Sequence, residues 1–145
     1  MSKGRVISVS SVSIGVVLSL VVICLAVAAP AAKRRAESRG CASSVVSICL
    51  AAKVWAEDHG GLMPTNFTCF SDELSTPKIL SCLPSRRASG EWSAFRLESS
   101  TYEIVAPGMS VVETNRAFLR CKVHGHIGYS DTTVFDGVRR HGKFD

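Results

Sequence analysis

From Val6 to Ala32 the chain carries no charged side chain, a run of 27 residues. A helix of about 20 apolar residues crosses the hydrocarbon core of a bilayer, because within one helix every backbone amide finds its partner without water. The run therefore predicts a membrane-spanning segment, residues 1–32, ahead of a globular head, residues 33–145. A cleaved signal peptide is the rival reading, since Lys3 and Arg5 precede the run and AVAAPAA offers small residues to a peptidase. The apolar core of such a peptide is usually about 7–15 residues, which favours a retained anchor. The alternative is a secreted, disulfide-stabilised binding module released by that cleavage.

The formal net charge is +5, and its distribution decides what it means. Residues 1–5 carry +2, residues 33–39 (KRRAESR) carry +3 and residues 136–145 carry +1, so the body from 40 to 135 is close to neutral at −1. The positive charge flanks the apolar run, where Lys and Arg meet lipid headgroups, and forms no phosphate-binding face in the body. The expected partner is a lipid bilayer, and nucleic acid is not expected. Five of the six cysteines lie outside the apolar run (Cys41, Cys49, Cys69, Cys82 and Cys121), with no CxxC pair among them. Such usage in a small domain points to an oxidising compartment and places the head outside the cytoplasm. The positive-inside rule argues the other way, because KRR and Arg39 behind the run outweigh Lys3 and Arg5 before it. Cysteine usage is given the greater weight.

Behind Pro30, the residues Cys41, Val45, Ile48, Ala52 and Trp55 recur at alternating spacings of four and three, one stripe of an α-helix. His59-Gly60-Gly61 ends the pattern and Pro64 lies beyond it. One long helix, kinked at Pro30, is predicted from about Ile7 to Asp58, the first half in lipid and the second amphipathic. Short β-type segments follow: KILSC (78–82), TYEIVA (101–106), AFLRC (117–121) and TTVF (132–135). Asp136-Gly137 is a hairpin-type turn signal. The predicted fold class is α+β, a long N-terminal helix packed on a small antiparallel β-sheet.

Three stretches carry a family resemblance. Pro30 closes SIGVVLSLVVICLAVAAP; CASSVVSICLAAKVWAEDHGGLMP is followed by SDELSTPKILSC; and His126 is followed after nine residues by Asp136-Gly137. Together they resemble type IV pilins and type II secretion pseudopilin-like proteins, in particular the prepilin-like proteins of planctomycetes and verrucomicrobia with a C-terminal H-x9-DG motif. The resemblance implies a pilin-like fold, a single-pass protein of the bacterial inner membrane with its head in the periplasm, a structural or assembly role linked to type II secretion or a type IV pilus-like system, and other pilin-like or envelope proteins as partners. The processing site departs from the family. Aligned on Pro30, the Gly before the prepilin cleavage point and the Glu five residues into the mature chain fall at Ser8 and Ser13. Cleavage and methylation by the prepilin machinery are therefore not expected.

Several residues in the head bear chemistry. Cys121, His124 and His126 offer three zinc-type ligands within six residues, short of the four that close a structural site, with no second pair evident. Asp131 and Asp136 could contribute to calcium binding, although two carboxylates make a thin shell for an ion that takes six to eight oxygens. No nucleophile elbow, zinc-protease motif or phosphate loop is present, so no catalysis and no cofactor are expected. The preferred reading makes Cys121 and Cys82 a structural disulfide, each closing a short β-type segment, with the histidines on the loop behind it. Cys69 is expected to pair with Cys41 or Cys49.

Overall fold

The computed structural model describes the backbone of residues 7–82 and 90–142, and side chains from residue 15 onward. The chain divides into two compact units, Met1–Ala36 and Glu37–Asp145. One helix, α1, spans Ile7–Asp58 and continues through Pro30. In the first unit its described side chains are exposed, among them Val17, Leu20, Val21 and Leu25. The helix is long and apolar enough to cross a membrane.

The second unit has the predicted α+β layout. Among the described residues five strands form one antiparallel meander in the order β1 to β5: Tyr102–Ile104, Ala117–Cys121, Ile127–Tyr129, Val134–Phe135 and Arg140–His141. The register pairs Tyr102 with Cys121, Leu119 with Gly128, Gly128 with Val134, and Phe135 with Arg140. Residues Glu37–Asp58 of α1 lie on this sheet. Cys41, Val45, Ile48, Cys49, Ala52 and Ala56 are buried on the helix, and Tyr102, Phe118, Leu119 and Val134 are buried on the sheet. The contact is closest at Gly128, where a Cβ would press into the side chains of Cys49 and Val45. Burying each large apolar side chain here contributes roughly 1.5–3 kcal/mol.

The helix ends where the sequence indicates. Gly60 and Gly61 take φ of +68° and +76°, and the Gly61 amide returns to the Ala56 carbonyl at 2.8 Å. A left-handed exit of this kind suits glycine, which lacks the Cβ that would clash.

Three expectations need correction. Trp55 is only half-buried: its ring stacks on His59 at 3.7 Å, while Ala56, one position on, takes the buried place. KILSC is not a strand. Pro77–Leu80 forms a 3-10 turn, because Thr76 caps it by accepting from the Lys78 amide and Pro77 sits at its start with φ already set for a turn. Strands β3 and β5 lie outside the four predicted segments.

Candidate functional site

Four separate stretches of the head bring a sulfur or imidazole to one point. Cys41 comes from the first turns of α1 in the head, Cys82 from the segment after the Pro77–Leu80 turn, Cys121 from the last position of β2, and His124 from the turn that follows it. Their ligand atoms all lie within 4.8 Å of one another. Cys82 Sγ is 3.6 Å from Cys121 Sγ and 3.5 Å from His124 Nδ1, and Cys121 Sγ is 4.0 Å from the same nitrogen.

Local structure fixes each member. Cys41 is the first buried position of the helical stripe, so core packing aims its thiol at the sheet. Cys82 is held by its own amide donating to Thr101 Oγ1 at 2.9 Å, while Thr101 N donates to Leu80 O at 3.0 Å and brings this segment alongside β1. Cys121 faces Tyr102 across the β1–β2 ladder. Behind it the chain reverses in a tight turn, with Gly125 N donating to Cys121 O at 3.0 Å and Gly125 at φ +72°. That turn folds His124 back over Cys121, and the His124 amide donates to Cys121 Sγ at 3.3 Å. Residues three apart on an extended strand would point to opposite faces; the turn after Cys121 removes that obstacle.

The cluster is electrostatically uneven. The hydrogen bond from the Cys41 thiol holds the Cys121 thiol well below its ordinary range, against the opposing effect of burial, and the His124 and Val123 amides add to it. Cys41 is pushed up by that same bond and by burial, and Cys82 by burial. The Tyr102 hydroxyl, itself raised by burial, donates to Cys41 Sγ at 3.5 Å.

The expected zinc set is revised. Cys121 and His124 come together, but His126 is not with them. It is buried, its Nε2 lies 3.3 Å from Ser38 Oγ on α1, and its ring stacks on that of His124 at 5.8 Å. Burial and then the neighbouring His124 lower its pKa. Cys41 and Cys82 take the places the three-residue reading left unfilled. Cys41 carried one signal in the sequence, a cysteine at the head of the apolar helical stripe Val45, Ile48, Ala52 and Trp55. Cys82 was expected beside Cys121 as the end of a strand, and it reaches that place through its bond to Thr101 instead.

The expected disulfide partners do meet, as thiols 3.6 Å apart rather than at the 2.03–2.05 Å of a disulfide. Cys69 forms no bond with Cys41 or Cys49: it is exposed, with its sulfur 3.8 Å from Thr65 Oγ1, while Cys49 is fully buried under Gly128 and Cys41 belongs to the cluster.

The calcium pair is not assembled either. Asp131 is occupied by the Thr133 amide and hydroxyl and by Arg140, 3.0 Å away; these outweigh burial and lower its pKa. Asp136 accepts from the Arg139 and Val138 amides at 2.8 and 2.9 Å and faces His141 at 2.8 Å, contacts that hold its carboxyl far below the usual carboxylate range. With Gly137 at φ +93°, Asp136 organises the β4–β5 hairpin.

The H-x9-DG spacing has a geometric origin. In the β3–β4 hairpin Ile127 faces Phe135 and Gly128 faces Val134, so continuing the register sets His126 opposite Asp136. The nine intervening residues are the hairpin itself: one end buries a histidine against α1 and the other begins the next turn.

Comparisons of the chain with protein-family models, with curated proteins and with solved structures find no match in any of the three.

Proposed function

We propose that this chain is a single-pass membrane protein whose head serves as a non-enzymatic structural module, of pseudopilin-like type, at a bacterial envelope. The observation that carries the reading is the first unit of α1. Val16, Val17, Leu18, Leu20, Val21, Val22, Ile23, Leu25 and Val27 are all between 48% and 70% exposed, with no polar stripe to interrupt them. A helix apolar on every side is suited to lipid, where its side chains lose contact with water and its backbone is already satisfied. Basic residues stand on either side of that stretch, as expected of headgroup anchors.

A structural role for the head is supported by how its polar groups are used. His126, Asp131 and Asp136 are each committed to holding one element against another. The outer side of the helix in the head also exposes Leu50 and Val54, one turn apart, beside Ser47 and Glu73. These residues offer an apolar ridge to other pilin-like or envelope proteins. Assembly linked to type II secretion or to a pilus-like system is the corresponding cellular role, and the periplasmic side is where the head is placed by this reading.

Membrane fractionation with alkaline carbonate tests the proposal. The expected result is a chain that stays in the pellet until detergent is added and whose intact mass includes residues 1–32. Release by carbonate, or a mature N-terminus near Ala31 or Lys33, would overturn it in favour of the secreted module.

A further inference from the structure

We infer that Cys41, Cys82, Cys121 and His124 form a structural Zn²⁺ site that ties α1 to the sheet. The donor set is the first argument. Three thiolates and one imidazole are a recognised structural zinc shell, and soft sulfur with borderline nitrogen in a tetrahedral arrangement selects zinc over hard cations.

Spacing is the second. With Zn–S near 2.3 Å and Zn–N near 2.0–2.1 Å, a regular tetrahedron has edges of about 3.8 Å between sulfurs and about 3.5 Å between sulfur and nitrogen. The observed edges of 3.6 Å for Cys82–Cys121 and 3.5 Å for Cys82–His124 match those values, that of 4.0 Å for Cys121–His124 is about half an ångström longer, and the Cys41 sulfur lies within 4.8 Å of each of the other three atoms. A Cys82–Cys121 disulfide would account for two of the four groups and leave a third thiol and an imidazole gathered at one point without purpose.

The third argument is the surroundings. Cys41 and Cys121 are each 1% exposed, and Cys82 and His124 are half-buried, so the site is closed as structural sites are. Its sulfurs already have outer donors: the Tyr102 hydroxyl to Cys41 and the His124 amide to Cys121. Donors of that kind orient metal ligands and stabilise their charge. Binding is balanced as follows. Each of the three thiols releases its proton to solvent and gives a sulfur lone pair to the ion. Neutral His124 gives the lone pair of Nδ1 and keeps its proton on Nε2. The site then carries a net charge of −1.

The inference concerns the head alone, so its outcome is independent of whether the chain is retained in a membrane. The test is elemental analysis of the full chain, detergent-extracted and purified under reducing conditions without chelator. One zinc per chain is expected. Replacement by Co²⁺ should give the visible bands of a tetrahedral ion together with thiolate-to-cobalt charge transfer in the near ultraviolet. Cys69→Ser should retain both signals, and Cys82→Ser and His124→Asn should lose stoichiometric zinc.

Because those ligand variants remove packing as well as donors, Tyr102→Phe supplies a milder check. It keeps the ring and removes one outer hydrogen bond, with an expected loss of about 10–100-fold in zinc affinity against a competing chelator. Substoichiometric zinc in the wild-type protein, an octahedral cobalt spectrum, a Cys82–Cys121 disulfide in unreduced peptide maps, or full zinc content in both ligand variants would each overturn the inference.

Discussion

At Gly128 the helix and the sheet come so close that a single methyl group has no place to go. A Cβ there would collide with the sulfur of Cys49 and lie 2.7 Å from Val45 Cγ1, and neither neighbour is a long side chain that can swing aside. Overpacking a core in this way costs about 1–3 kcal/mol. Gly128→Ala should lower the urea midpoint of the head accordingly. Adding Cys49→Ala should restore part of the loss, because the second change removes the atom the first one strikes; the cost of the pair should fall short of the sum of the two single costs. The same residue explains why β3 was hard to read in the sequence. Ile-Gly-Tyr has no apolar alternation, since its central inward position is occupied by the absence of a side chain.

Among elements, α1 shows what a periodic pattern can and cannot convey. Spacings of three and four placed Cys41, Val45, Ile48 and Ala52 on the buried side, as the structure has them. They also placed Trp55 there, yet the choice between positions 55 and 56 depends on how the chain leaves the helix, and the reversal at Gly60-Gly61 favours Ala56. Ile48→Ala is therefore expected to cost about 2–5 kcal/mol, the usual range for a fully enclosed aliphatic residue. Trp55→Ala is expected to cost less, about 1–2 kcal/mol, most of it from the lost stack on His59. Chemical denaturation of the two variants side by side checks the order; equal losses would place Trp55 in the core.

The remaining elements were legible in proportion to how local their causes are. AFLRC is a strand by composition and pairs as one. Arg140–His141 has no strand composition at all and is held by Arg140, which stacks on Tyr129 at 3.9 Å and reaches Asp131 and the Thr114 carbonyl. The sulfur and imidazole cluster divides the same way. Cys121-x-x-His124 is a property of one turn, whereas Cys41 and Cys82 join it only through the helix-to-sheet packing and the Thr101 bonds.

At the level of the whole molecule, the head is a compact unit from Glu37 onward, and its core includes the helix stripe from Cys41 to Ala56. A chain beginning at Glu37 should therefore fold, with near-ultraviolet circular dichroism and cooperative melting. A chain beginning at His59 should not, because Tyr102, Phe118, Leu119 and Val134 would then face water. A cooperative transition in the shorter chain would show that the sheet and its loops are self-sufficient.

The close approach at Gly128 also sets a clock on biosynthesis. Cys49 is translated 79 positions before the glycine that will cover it. At about 5–20 residues per second, the helix waits roughly 4–16 s with its apolar stripe uncovered. Cys41 and Cys49 spend that interval as accessible thiols beside bare Val and Ile side chains. Over those seconds the nascent chain is at its most vulnerable to wrong disulfides and to aggregation, and a holdase or a reducing partner would protect it best.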